Sequence, residues 1–154
     1  MYRFERILVP LDGSEFAEMA LEPALAIARA MGSELVLFRV AQPIPRTQAL
    51  AEMPDVYNDV VAATHREAED YLRQIQAGLP DDNIVIEYRP GELGIARQIL
   101  DYSLEHGVDL IVISSHGYTG VKRWAYGSIT EKVLHGSGCA TLVVRCLEPE
   151  KGEA

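Results

Sequence analysis

The chain has few of the residues that cross-link or anchor a protein. Its 154 residues include two cysteines and one tryptophan. Cys139 and Cys146 are too few and too oddly placed for a disulfide framework or a zinc site, so we expect reduced, partly buried thiols. No apolar run approaches the roughly 20 residues of a membrane span, and residues 1–6 show no signal-peptide pattern. We therefore expect a cytoplasmic protein.

Basic residues are also scarce. Fourteen Lys and Arg face 23 Asp and Glu, for a net charge of −9. This charge argues against a nucleic-acid or an anionic-membrane partner. The composition is otherwise ordinary for a globular chain, with 48% hydrophobic residues and neither repeats nor low-complexity segments. The length fits one domain, which we place at residues 1–147, followed by a charged tail at residues 148–154.

Apolar runs and helical patterns alternate along the chain. The predicted strands are residues 7–11, 35–40, 83–89, 110–113 and 141–146. The predicted helices are residues 15–31, which begin after an N-cap at Ser14 and carry a kink at Pro23, then 59–77, 95–104 and 129–134. Residues 41–58 read as a long connection. This alternation predicts an α/β fold with a mostly parallel sheet and helices on both faces.

One stretch combines the features of an anion site. Ser114-Ser115-His116-Gly117 follows the predicted strand 110–113, and Gly127-Ser128 lies nine residues further on. Residues 128–131 match a capping box, which predicts a helix that starts at Ser128. A loop with free N–H groups and a helix start together favour a phosphate. The stretch is neither a Walker loop nor a Gly-x-Gly-x2-Gly dinucleotide motif.

The same stretch resembles a known family. Gly-x2-Gly-x9-Gly-Ser is the nucleotide motif of the ATP-binding branch of the universal stress proteins, and here Ser114 replaces its first glycine. The resemblance extends to the opening strand and turn (residues 6–14), the second strand (33–40) and the closing strand (141–145). It implies a single-domain, three-layer α/β/α fold of flavodoxin-like or adenine nucleotide alpha hydrolase-like type, with the strand order 3-2-1-4-5.

That strand order reverses between the first and fourth strands, and ligands of such sheets bind at this switch point. The resemblance and the motif together give the following expected ATP contacts: Pro10, Asp12, Val40, Ser114, Ser115, His116, Gly117, Tyr118, Thr119, Gly120, Gly127, Ser128, Ile129 and Thr130. Asp12 is a candidate for ribose, adenine or a hydrated metal, or simply a turn former. Backbone at Pro10 and Val40 is expected near the base.

Other residues invite a chemical role but have simpler explanations. His116 has no carboxylate partner in sequence and is expected to fix the loop. Lys122 and Arg123 either screen phosphates or form a solvated face. The remaining histidines lack ligand spacing, so the expected metal is Mg²⁺ or Mn²⁺ carried by the phosphates of ATP.

The resulting hypothesis is an ATP-binding, nucleotide-dependent regulatory protein without a catalytic residue. The resemblance implies a homodimer joined through the edge strand between Thr141 and Arg145. Two alternatives remain open: a slow ATP hydrolase, and a nucleotide-independent stress-related interaction protein, which the serine at position 114 favours.

Overall fold

The computed structural model describes residues 2–80, 82–116 and 126–146. Its strands are β1 (Arg6–Pro10), β2 (Glu34–Val40), β3 (Ile84–Arg89), β4 (Leu110–Ser114) and β5 (Ala140–Val144). They form one sheet in the order β3-β2-β1-β4-β5, and all neighbouring pairs are parallel. The predicted fold class and strand order are confirmed.

Helices cover both faces of this sheet. They are α1 (Glu15–Glu18), α2 (Leu21–Met31), α3 (Gln48–Ala51), α4 (Pro54–Ala77), α5 (Ile95–Glu105) and α6 (Ser128–Gly136). Among the described helices, none is both long enough and apolar enough to cross a bilayer.

The strand side chains alternate between two apolar clusters. Ile7 and Val9 of β1 pack with α2 and with Leu72 of α4. Leu8, between them in sequence, packs on the opposite face with Ile99 of α5. This period of two is the geometry of a strand buried on both faces, and it produces the three layers that the resemblance implies.

The expected kinked helix through Pro23 is wrong. The segment forms two helices, α1 and α2, which are separated at Met19 and Ala20. Proline lacks an N–H, and its ring clashes with the carbonyl four residues earlier. Pro23 therefore falls in the first turn of a new helix, where its missing donor removes no helical hydrogen bond.

The connection predicted at residues 41–58 is more ordered than expected. It contains α3, and α4 begins at Pro54 instead of residue 59. Thr47 caps α3 by accepting a hydrogen bond from the N–H of Leu50 at 3.3 Å. Pro54 occupies the first turn of α4, a position that favours proline because its φ is already helical.

Candidate functional site

The carboxyl ends of β1 and β4 lie side by side, because these strands pair directly in the centre of the sheet. The connection after β1 leads to α1 on one face, and the connection after β4 leads to α6 on the other. The sheet order reverses here, which leaves a crevice at the strand ends. Of the residues expected to bind ATP, Pro10 ends β1, Val40 ends β2 and Ser114 ends β4.

Asp12 is held in a defined turn directly after β1. Its Oδ1 accepts a 2.9 Å hydrogen bond from the backbone N–H of Ser14 and a further bond from the Ser14 hydroxyl. Ser14 in turn caps α1 by accepting from the N–H of Ala17 at 3.1 Å, as expected. This Asx turn places the carboxylate at the carboxyl edge of the sheet, half-buried. The turn explanation of Asp12 is therefore correct, and it leaves the carboxylate at the switch point.

Ser114 and Ser115 use their hydroxyls within the protein. The Ser114 hydroxyl donates to the carbonyl of His116 at 2.7 Å. The Ser115 hydroxyl accepts from the N–H of Cys146 at 3.1 Å. Both side chains are buried. They shape the start of the connection between β4 and α6.

Two bonds fix the start of α6 against the end of β4. The N–H of Gly127 donates to the carbonyl of Ser115 at 2.7 Å, and the buried hydroxyl of Thr130 donates to the carbonyl of Ser114 at 2.8 Å. The helix start therefore lies at the same edge of the sheet as Asp12. This proximity comes from the fold and not from spacing in the sequence.

The expected capping box is wrong. Gly127 is the N-cap, Ser128 is already helical, and no side chain caps the helix among the described residues. The first N–H groups of an α-helix have no partner inside the helix. At Ser128, Ile129 and Thr130 these groups face the carboxyl edge of the sheet, where the positive end of the helix dipole favours an anion.

The end of β2 is fixed by a close contact that the sequence did not reveal. The N–H of Ala41 donates to the carbonyl of Arg89 at 2.8 Å. The buried residue Gly91 lies so close that a Cβ atom there would be 2.3 Å from the Ala41 carbonyl oxygen. The Pro90-Gly91 turn signal was visible in the sequence, but its contact with the end of β2 was not. This contact positions the backbone next to Val40.

Four residues of the expected site, Gly117, Tyr118, Thr119 and Gly120, lie outside the described residues, as do Lys122 and Arg123. His116, the last described residue before this gap, is half-buried, and its carbonyl accepts the bond from Ser114. No group of three or more His, Cys, Asp or Glu side chains among the described residues is arranged to hold a metal ion. Cys139 and Cys146 are both half-buried, and neither forms a disulfide.

Sequence reasoning missed Arg39, a buried cation within the apolar part of strand β2. Its guanidinium carbon lies 4.5 Å from the ring centroid of Tyr71, a cation–π distance. The Tyr71 hydroxyl donates to Glu18 at 2.8 Å. Burial, and then this hydrogen bond, raises the pKa of the Tyr71 phenol well above its ordinary value. The only signal in the sequence was a single charge within the run Leu35 to Val40.

Comparison with known proteins adds family context to this geometry. The model of the universal stress protein family matches residues 3–145. The chain is 30% identical over 149 residues to the universal stress protein YxiE of Bacillus subtilis, and the match covers 92% of this chain and 99% of that protein.

Solved structures agree with this match. Universal stress protein UspA from Lactobacillus plantarum superimposes with a TM-score of 0.74 at 30% identity, over 94% of this chain and 100% of that one. MJ0577 of Methanocaldococcus jannaschii superimposes with a TM-score of 0.79 at 27% identity, over 96% of this chain and 100% of that one. A universal stress protein in complex with cAMP, 22% identical with a TM-score of 0.59, shares the fold over 93% of this chain and 98% of that one.

Proposed function

Because the chain belongs to the universal stress protein family, we propose that it binds ATP at the switch point and acts as a nucleotide-dependent regulatory dimer. One observation carries the proposal: the uncapped start of α6 and the Asp12 carboxylate both lie at the carboxyl edge of adjacent strands. The helix start supplies N–H groups for phosphate, and the carboxylate supplies an acceptor for hydroxyl or amino groups.

In this pose the phosphates lie on the loop from Gly117 to Gly120 and on the N–H of Ser128. Asp12 accepts from the ribose or the base, and the backbone at Pro10 and Val40 borders the adenine. Thr130 and Ser115 stabilise the backbone around the site, because their hydroxyls form hydrogen bonds with backbone groups of the protein. Mg²⁺ or Mn²⁺ would be held by the phosphates, since such ions need few protein ligands.

The serine that replaces the first motif glycine is compatible with this pose. Ser114 is only 3% exposed, and its hydroxyl is bonded to the carbonyl of His116. The extra side-chain atoms therefore lie inside the protein and do not project from the strand end. This placement favours nucleotide binding over the interaction protein that Ser114 had kept open. The cAMP complex further supports an adenine nucleotide, since that protein has the same fold.

The dimer part of the proposal rests on the edge position of β5. Its residues are half-buried to exposed, and Leu142 is 36% exposed. Among the described residues no strand pairs with the outer side of β5, and an apolar edge strand favours pairing with a second chain. We also retain the expectation of a cytoplasmic protein without nucleic-acid or membrane partners, for which the net charge of −9 is the argument.

Mass spectrometry of the small molecules released from denatured, freshly purified protein tests the nucleotide directly. ATP or ADP in near-stoichiometric amount is the expected result. A protein that releases no nucleotide and binds none in calorimetry would point to the interaction protein. Phosphate release under saturating ATP separates a binder from a hydrolase. We expect turnover far below the enzyme median of about 10 per second, because neither a general base nor a metal-binding carboxylate pair was recognised in the sequence.

A further inference from the structure

Arg39 faces the layer of α2 and α4, away from the proposed adenine contact at Val40. Leu35 and Leu37 of β2 pack in the cluster that contains Leu72 of α4, whereas Val40 belongs to the cluster on the other face. Because side chains alternate along a strand, Arg39 follows Leu37 onto the α4 side. Its salt bridge to Glu67 of α4 confirms that direction.

The guanidinium of Arg39 is satisfied on only one side. Its Nη2 lies 2.9 Å from the Glu67 carboxylate. Its Nη1 is buried and has no hydrogen-bond acceptor among the described residues. The whole residue is 7% exposed. A buried cationic N–H group without an acceptor is costly, so this side of the guanidinium is suited to an oxygen from a bound molecule.

A cleft of about 380 Å³ opens at this guanidinium. We call it the Arg39 cleft; its lining is Asp12, Gly13, Arg39, Gln42, Glu67 and Tyr71. Its volume falls in the range of roughly 300–1,000 Å³ that is usual for small-molecule sites. Gly13 leaves room for the guanidinium, since a Cβ at that residue would lie 3.0 Å from Nη1.

The charges of the lining restrict the ligand. Arg39 is accompanied by two carboxylates, Asp12 and Glu67, in a chain of net charge −9. A free anion would be repelled by both carboxylates, and a cation would meet the guanidinium. A neutral hydroxyl group is compatible with the guanidinium and with the carboxylates, because its oxygen accepts from Nη1 while its hydrogen donates to a carboxylate. Gln42 adds an amide that can donate and accept.

We propose that the Arg39 cleft binds a neutral polyhydroxy compound of the size of a free pentose, at a site separate from the nucleotide. One hydroxyl accepts from Arg39 Nη1 after a small rotation of the guanidinium brings this buried atom to the cleft, and neighbouring hydroxyls donate to Glu67 and bond with Gln42. The two sites adjoin at Asp12 and extend onto opposite faces of the sheet. A small polyol can therefore bind whether or not the nucleotide site is filled.

The test is an NMR titration of the nucleotide-free full chain with D-ribose and glycerol at millimolar concentrations. D-ribose should produce saturable shifts at the Gly13 backbone N–H and the Gln42 side-chain amide. Arg39→Met should raise the dissociation constant for D-ribose at least tenfold. Arg73→Met, which removes an exposed arginine from α4, the helix that carries Glu67, is the matched control and should leave the dissociation constant unchanged.

Glu67→Gln provides a second variant at a side chain that is 57% exposed, and its amide oxygen can still accept from Nη2 of the buried Arg39. It should also weaken D-ribose binding, with the fold checked by circular dichroism. Linear shifts without saturation, saturable binding that survives Arg39→Met, or a response to acetate or phosphate in place of D-ribose would each overturn the proposal.

Displacement of D-ribose by ATP would show instead that the cleft is part of the nucleotide site. Gly127→Val distinguishes the two proposals. It should weaken ATP binding and leave the D-ribose titration unchanged, so a failure of the ATP proposal is visible independently of the cleft.

Discussion

The hydroxyl of Thr130 donates a 2.8 Å hydrogen bond to the carbonyl of Ser114, across sixteen positions of sequence. Both residues are at least 96% buried, with exposures of 4% and 3%. The bond joins the first turn of α6 to the last residue of β4. It therefore fixes the direction of the helix start, on which the proposed phosphate site depends.

Thr130→Val should lower the free energy of unfolding by about 1–3 kcal/mol, because it removes the donor from a buried carbonyl without changing the side-chain shape. Urea unfolding measures the effect. Thr64→Val is the matched control, since the Thr64 hydroxyl bonds locally to the carbonyl of Val61 in α4. A Thr130→Val protein no less stable than Thr64→Val would show that the bond contributes little.

Gly127→Val should weaken ATP binding by more than about 1.4 kcal/mol, or tenfold. A branched side chain at the N-cap would obstruct the helix start where the phosphates are proposed to lie. The φ of Gly127 is −58°, which valine can adopt, so the fold should survive. Isothermal calorimetry measures the affinity and circular dichroism checks the fold. Unchanged affinity in a folded variant would refute the pose.

Gly91→Ala should destabilise the protein by about 1–3 kcal/mol or more, the usual range for overpacking. The new Cβ would lie 2.3 Å from the Ala41 carbonyl oxygen and 2.9 Å from a ring carbon of Pro43. Gly138→Ala is the control, because nothing lies within 4 Å of a Cβ at that position. Thermal unfolding compares the two variants, and equal melting temperatures would contradict the close contact.

The proposed dimer can be tested by light scattering at micromolar protein concentration. The expected mass is twice that of the 17.0 kDa chain, and a mass near a single chain would exclude the dimer. The carbonyl of Val144 accepts from the N–H of Ser115 at the end of β4, so its neighbour Val143 directs its N–H away from β4, toward the outer side of the sheet.

Val143→Pro removes this outward donor and should disfavour the dimer, whereas Val143→Thr keeps the donor and should not. A symmetric contact uses the same edge strand of both chains, so the assembly stops at two chains and does not grow into fibres. Circular dichroism must show a native fold in both variants. A folded Val143→Pro protein that remains dimeric would place the interface elsewhere.

Stability at high pH should depend on Tyr71. Burial and the Glu18 bond raise its folded pKa above the unfolded value of about 10. The folded state therefore holds a proton that the unfolded state loses. The resulting stabilisation is fully present below pH 10, and it declines as the pH rises, by at most about 1.4 kcal/mol per pH unit.

Tyr71→Phe should flatten this decline in urea unfolding measured from pH 8 to 11. Tyr2→Phe is the matched control, because the Tyr2 residue is 74% exposed, and it should keep the wild-type slope. If the free energy of unfolding falls equally steeply with pH in the Tyr71→Phe and wild-type proteins, Tyr71 is not the cause of the decline.

Several elements were predictable from local sequence because local chemistry determines them. Ser14 caps α1 by accepting from the N–H of Ala17, a bond that serine favours at helix starts. Gly32 ends α2 in the left-handed conformation, with φ of 66°, that glycine favours. The alternation in β3, where Ile84 is buried and Val85 exposed, also matches its sequence. The strand order came from family resemblance, since no local pattern specifies which strands are neighbours.

The errors at Pro23 and Ser128 have different causes. At Pro23 the proline ring itself excludes a continuous helix, whereas at Ser128 tertiary packing selected the helix start. At the second position, the bonds from Gly127 and Thr130 to the end of β4 set the first turn of α6. A capping box describes only the residues of the helix itself, and it cannot include the strand against which that helix is fixed.

The sequence by itself determined an α/β chain and its apolar strands, because these depend on residues near one another along the chain. The phosphate loop stays a prediction. Only the tertiary structure decided that Asp12 and the start of α6 share one edge of the sheet. It also placed Arg39 beside Glu67 of α4, 28 residues away. Such contacts join residues distant in sequence, and they form only when the sheet and its two helical layers pack together.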